Sequence, residues 1–250
     1  MLGIINFTHS DPLYQAIEDK SLVVRDTPKK LLEMLLGGKI ECAMISLLEY
    51  YRHMDSLEIV ESATIHSKNT TMSTLLVSKE PGIREPMLIA VTEHTKTTAF
   101  YLEMVLKKLG IDYELILSNN RDADSLLDEA EYALVIGDEA LKVFRSHYSI
   151  IWDVGSQFSS IYSMIPVFSV TVKRKGVDCT EEIKQLDLAI QKYMGLADKC
   201  AAEDGEKLGL DPSILRQYFR TIKHDFNSEA RRTVGFMESI SRSLDDTKEQ

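Results

Sequence analysis

Tyr132-Ala-Leu-Val-Ile-Gly-Asp-Glu-Ala-Leu141 decides how the rest of this chain reads. Four apolar residues, Ala133 to Ile136, run without interruption into Gly137-Asp138, and a helical pattern follows at once. A short unbroken apolar run predicts a strand buried on both faces, as in parallel sheets. Gly137 allows a sharp backbone turn, and Asp138 stands where it can cap the next helix. Open α/β sheets hold ligands at such strand-to-helix corners. Gly137 and Asp138 therefore have two readings, a structural turn with its cap or one wall of a binding site.

Outward from this corner, strands and helices alternate. Strand patterns fall at residues 2–6, 21–25, 42–45, 72–78, 86–91, 113–117 and 165–172. Helical patterns fall at 12–19, 47–51, 99–109 and 122–130, and another begins at Thr27-Pro28, with Thr27 as its cap and Pro28 in its first turn. That helix carries Leu31, Leu32, Leu35 and Leu36 on one face and stops at Gly37-Gly38. From Thr180 onward the spacing is helical, and the polar stretch 245–250 predicts a frayed end. Pro81-Gly82 and Pro86 suggest a crossing between lobes, and the strand at 165–172 a return. The expected fold is α/β with two lobes, residues 1–80 plus 171–250 and residues 81–170, and a helical C-terminal segment. Two such lobes would form a hinged clamshell with the ligand cleft between them.

Composition narrows the function. The 250 residues are 44% hydrophobic and 27% charged, with a formal net charge of −10. This acidic balance argues against non-specific nucleic-acid binding, which requires a surplus of Lys and Arg. It leaves room for a local anion site, because salt screens the overall repulsion beyond about 8 Å. Cys42, Cys179 and Cys200 show neither metal-ligand spacing nor an even count. They fit small apolar residues in a reducing compartment. No basic leader precedes the first strand, and no apolar run approaches the roughly 18 residues of a membrane span. The expectation is a soluble cytoplasmic protein, without metal, nucleic-acid or membrane partners; nothing chooses between monomer and homodimer.

Several motifs, read in order, carry a resemblance. They are Phe7-Thr-His-Ser-Asp-Pro-Leu13, Asp26-Thr-Pro-Lys-Lys-Leu31, Ala43-Met-Ile-Ser-Leu-Leu-Glu-Tyr50 and Ile65-His-Ser-Lys-Asn-Thr-Thr-Met-Ser73. His94-Thr-Lys-Thr-Thr98, Ile136-Gly-Asp-Glu-Ala-Leu141, Pro166-Val-Phe-Ser-Val170 and Leu215-Arg-Gln-Tyr-Phe219 follow. The succession resembles the menaquinone-biosynthesis proteins of the futalosine route, in particular the chorismate dehydratases. The resemblance implies a fold similar to type 2 periplasmic solute-binding proteins, used inside the cell as a hydro-lyase. Such an enzyme takes water from chorismate to give 3-[(1-carboxyvinyl)oxy]benzoate, and no metal or organic cofactor is expected. The sister 1,4-dihydroxy-6-naphthoate synthase carries a His-Glu pair where this chain has Gly137-Asp138, although Thr97-Thr-Ala-Phe-Tyr101 looks somewhat like the sister. A non-catalytic small-anion-binding protein is the third reading. His9 stands where the dehydratases usually have an active-site asparagine, Asn69 where a glycine is common, and Thr71 where an apolar residue is.

A dianionic carboxylate substrate needs hydrogen-bond donors or helix N-termini. Candidate binding residues are Thr8 and Ser10 in the first loop, Ser46 at a strand end, and Ser67, Asn69 and Thr71 in the densest polar cluster. Thr97 and Thr98 at a helix start, with Gly137 and Asp138, complete the set. His9, which titrates near neutrality, and Ser73, a polar residue within a strand pattern, are the catalytic candidates. Each has a plainer reading: the threonines as caps, the loop as a turn, His9 as an ordinary hydrogen-bonded side chain.

Overall fold

The computed structural model describes residues 1–246. Its strands are β1 (Leu2–Ile5), β2 (Val23–Asp26), β3 (Cys42–Ser46), β4 (Leu57–Ser67), β5 (Thr74–Ser78) and β6 (Met87–Thr92). After these come β7 (Tyr113–Ser118), β8 (Tyr132–Ile136), β9 (Ser149–Asp153), β10 (Val167–Arg174) and β11 (Ile222–Asp225). The helices are α1 (Asp11–Ala16), α2 (Pro28–Leu36), α3 (Leu47–Arg52), α4 (Lys96–Leu109), α5 (Ala123–Glu129) and α6 (Gly137–Val143). They continue with α7 (Val154–Tyr162), α8 (Thr180–Lys192), α9 (Ala197–Leu208), α10 (Pro212–Thr221) and α11 (Ser228–Asp246).

The chain divides into two compact units. The first holds Met1–His66, Val167–Glu203 and the chain from Ile222; the second holds Ser67–Pro166 and Asp204–Thr221. This corrects the expected boundaries. Residues 74–78 form β5, which bonds to β8 and β9 and so belongs with the second sheet. Residues 204–221 also return to the second unit, so the chain crosses four times rather than twice.

The first unit is built on a six-stranded sheet, ordered β11-β4-β10-β3-β1-β2. β1 is parallel to β2 and β3, and β10 runs antiparallel between β3 and β4. The neighbours β1 and β3, and β4 on the far side of β10, thus deliver their carboxyl ends, Ile5, Ser46 and His66-Ser67, to one edge. Thr27 caps α2 by accepting the Lys30 N–H at 3.3 Å, with Pro28 in the first turn as expected. Leu31, Leu32 and Leu35 are buried, whereas Leu36 is 40% exposed and lies off the packed face.

The second sheet is ordered β7-β6-β8-β5-β9. β8 is parallel to β6 and antiparallel to β5, so the sheet is mixed rather than wholly parallel. Tyr132 to Val135 are buried on both faces, as the apolar run requires. Leu75, Val77, Ala133 and Val135 pack under Leu126 and Leu127 of α5 and Ala140 and Val143 of α6. Helices α4 and α7 bring the Tyr101 and Phe158 rings to 4.4 Å. Gly110, at φ 69°, closes α4 in the left-handed conformation that favours glycine.

Local departures have local causes. His66 and Ser67 lie in β4 rather than a loop, and α4 begins at Lys96, three residues before the expected start. β4 and β11 are strands that the apolar pattern does not announce, and β9, whose Ile150-Ile-Trp152 run is apolar, is not among the expected strands. Helix α11 includes Asp245 and Asp246, and the rest of the expected frayed end, residues 247–250, lies outside the described residues. No helix of the described residues is long and apolar enough to cross a membrane.

Candidate functional site

In the second unit the strand directions gather the predicted residues at one sheet edge. β6 and β8 end there, while β5 begins there and β9 ends there. Gly137 sits at φ 59°, the conformation only glycine adopts without strain, and its N–H donates to the Ser73 carbonyl at 2.9 Å. Ser73 and Gly137-Asp138 are thereby joined. Asp138 is not the cap expected of it: Ile136 occupies the cap position and Asp138 lies in the first turn of α6, half-buried. Its carboxylate favours the helix N-terminus from inside the turn.

The polar loop before β5 is organised by a residue that the sequence did not single out. The Asp153 carboxylate, at the end of β9, accepts hydrogen bonds from the Thr70 hydroxyl at 2.6 Å and the Thr71 N–H at 2.7 Å. It also takes the Thr71 hydroxyl at 2.9 Å, the Met72 N–H at 2.9 Å and the Ser156 N–H at 3.0 Å. The last of these caps α7. Met72 stands at φ 58°, a left-handed conformation costing a non-glycine residue about 1–2 kcal/mol. The bonds to Asp153 hold it there, one residue before Ser73.

This accounting sorts the loop candidates. The Thr71 hydroxyl is fully buried and shared between Asp153 and Thr74, 2.6 Å away, so it serves the loop's own structure. The Ser67 hydroxyl donates to the Thr70 carbonyl. Asn69 is exposed to solvent at the tip of the loop. Thr92 and Thr95 perform the capping at the end of β6: Thr92 accepts the His94 N–H at 3.2 Å, and the Thr95 hydroxyl bonds the Thr92 carbonyl at 2.8 Å. Thr97 and Thr98 then lie buried in the first turn of α4.

In the first unit, Thr8, His9 and Ser10 form a buried 3₁₀ turn after β1. Ser46, half-buried, ends the neighbouring β3. His9 Nδ1 lies 2.9 Å from the Ser10 hydroxyl. Burial, then the nearby His224 and Arg25, pulls the His9 pKa down to about 3, so the ring is neutral at physiological pH. The sequence reading missed two partners here. His224 lies between two carbonyls, Thr64 O at 3.0 Å from Nδ1 and His9 O at 3.2 Å from Nε2; burial lowers its pKa, and the neutral ring donates to one of them at a time. His66 meets the Thr64 hydroxyl through Nδ1 at 2.9 Å; since that hydroxyl donates to the Asp225 carbonyl, Nδ1 carries the proton. Burial lowers the His66 pKa to about 4, against the opposing pull of Asp225. No group of three or more His, Cys, Asp or Glu among the described residues could hold a metal ion.

These two mixed sheets, with donors collected at strand ends, define an α/β protein of the periplasmic-binding-protein fold. The periplasmic aliphatic sulphonate binding protein of Escherichia coli matches with a TM-score of 0.72 at 11% identity, over 99% of this chain and 86% of that one. A Candida albicans gene product described as exhibiting the generic periplasmic binding protein fold matches at 0.66 and 11% identity, over 97% and 89%. Within that fold the chain belongs to the menaquinone biosynthesis family, whose model matches residues 1–241. A relative named chorismate dehydratase, from Thermus thermophilus, is 19% identical over 251 residues, 92% of this chain and 91% of the relative.

Proposed function

We propose that this protein is a chorismate dehydratase, removing the C3 proton and the C4 hydroxyl of chorismate as water to leave 3-[(1-carboxyvinyl)oxy]benzoate. Membership of the menaquinone biosynthesis family and the Thermus relative support the reading. The observation that carries it is the corner at the end of β8. Gly137, left-handed and bonded to Ser73, and Asp138 stand where the sister synthase would need its His-Glu pair. Positioned acid–base groups contribute about 10²–10⁴-fold to such a step. Ser73, at this corner, is the group assigned to handle the substrate. Aromatisation supplies the thermodynamic drive.

The likeness to binding proteins favours a second reading, capture of a small anion without turnover. Incubation of purified protein with chorismate, followed by mass spectrometry, decides between them. The expected result is loss of one water from chorismate. A folded protein that binds chorismate and leaves it unchanged would refute the dehydratase assignment.

A further inference from the structure

Leu215-Arg-Gln-Tyr-Phe219, part of the sequence resemblance but without a task so far, lies within α10. This helix belongs to the second unit and ends against the loop that Asp153 organises: the Thr221 hydroxyl lies 3.9 Å from the Met72 sulfur. Tyr218 is three residues earlier, on the same face of the helix. It is fully buried, and its hydroxyl makes no hydrogen bond of normal geometry: the Ser73 side chain approaches as a donor to the phenol oxygen, and the phenol's own O–H meets no acceptor. Burial above all holds the phenol pKa well above its usual value; the Asp138 carboxylate adds to this and the Ser73 side chain opposes it. The same two residues that the Gly137–Ser73 bond joins are thus the polar neighbours of an enclosed, protonated phenol whose O–H has no acceptor.

An unpaired buried hydroxyl costs about 1–3 kcal/mol, a cost that phenylalanine would not incur. The oxygen is accounted for if its partner arrives with a ligand. The neighbouring carboxylate restricts what that partner is. An anionic oxygen beside Tyr218 would face Asp138, whereas an alcohol can accept from the phenol while donating to the carboxylate. We propose that Tyr218 is a ligand-binding residue of the Ser73–Asp138 corner, its phenol donating to a ring hydroxyl of a bound cyclic hydroxy acid. On the dehydratase reading, on which this assignment of the ligand group rests, the hydroxyl is the one that leaves from C4.

The test is Tyr218→Phe, which removes only the oxygen. A purely structural role predicts a lower melting temperature. The expected result is the reverse: the unligated variant melts at the same or a higher temperature, while kcat/KM for chorismate falls about 10–100-fold, the equivalent of one buried hydrogen bond to the ligand. Calorimetric titration with shikimate, a ring hydroxy acid requiring no turnover, separates this inference from the dehydratase reading. Wild-type protein that binds shikimate but leaves chorismate unchanged sinks only the dehydratase reading, provided that Tyr218→Phe binds shikimate about tenfold more weakly. Unchanged turnover and unchanged shikimate binding in the variant, a clear drop in melting temperature with unchanged kcat/KM, or no shikimate binding by wild type overturns the role of Tyr218.

Discussion

Acidification should unfold the first unit's histidine cluster well before carboxylate protonation accounts for the loss. His9 and His66 hold folded pKa values of about 3 and about 4, against 6.5 for the unperturbed side chain. Both rings are buried, so solvent screening leaves most of the shift intact. The unfolded chain takes up protons below about 6.5 while the folded one refuses them, so stability rises with pH across that interval. The contribution is complete above the unfolded value, falls away below it and is gone at the folded values. Each pH unit below 6.5 removes about 1.4 kcal/mol per histidine. At about pH 4.5 the loss is therefore about 2–3 kcal/mol for each ring and about 5 for the two. A domain's whole stability is about 5–15 kcal/mol. Urea denaturation followed by circular dichroism at about pH 7, 5.5 and 4.5 measures the slope on these scales. His66→Gln keeps a donor and an acceptor but does not titrate, so its loss over the same interval should be smaller than that of the wild type by about 2–3 kcal/mol, with His9 and the buried His224 still resisting protonation. Stability that stays flat from about pH 7 to 4.5, or a slope unaltered by His66→Gln, would refute the argument.

Three further outcomes follow from particular contacts. Asp153→Ala removes the acceptor of three backbone N–H groups, those of Thr71, Met72 and Ser156, and should cost about 3 kcal/mol or more; hydrogen exchange at Thr71 and Met72 should accelerate, and unchanged protection would count against the hub. Gly3→Ala places a Cβ 2.8 Å from that of Ala43 and 2.9 Å from Leu31 Cδ2, so the urea midpoint should fall by the equivalent of about 1–3 kcal/mol. Gly137→Ala, forced into a left-handed conformation, should lose about 1–2 kcal/mol, with Gly137→Asn losing less; equal stability of the three proteins would remove the conformational account of that corner.

How much was legible in the sequence follows from where each residue finds its partners. Ala133 to Ile136 reads correctly because its burial is written in the residues themselves, and Thr27-Pro28 because a cap acts across three residues. β4 does not read as a strand because it carries Ser62, Thr64 and His66 inward. Their partners, Asp187, the Asp225 carbonyl and Asn227, lie more than 120 residues away. Tyr218 and His224 were missed for the same reason, being set beside Ser73 and His9 only by the fold. Asp153 left a readable trace: Ile150-Ile-Trp-Asp-Val-Gly-Ser156 repeats the apolar run, turn and helix start of the Gly137 corner. The engagement of the Thr71 hydroxyl with Asp153 and Thr74 was not legible, because abundance of hydroxyls says nothing about whether they are already bonded.

The position of β10 has a consequence for biosynthesis. It is the strand that joins β3 to β4, and residues 167–174 follow nearly the whole of the second unit in the chain. A nascent polypeptide that has emerged only to residue 166 presents β3 and β4 with unpaired peptide edges, the form of exposed backbone most open to intermolecular pairing. Premature termination or slow translation in that interval would yield an aggregating fragment, and a reordered gene encoding 167–174 next to residue 67 would shorten the exposure.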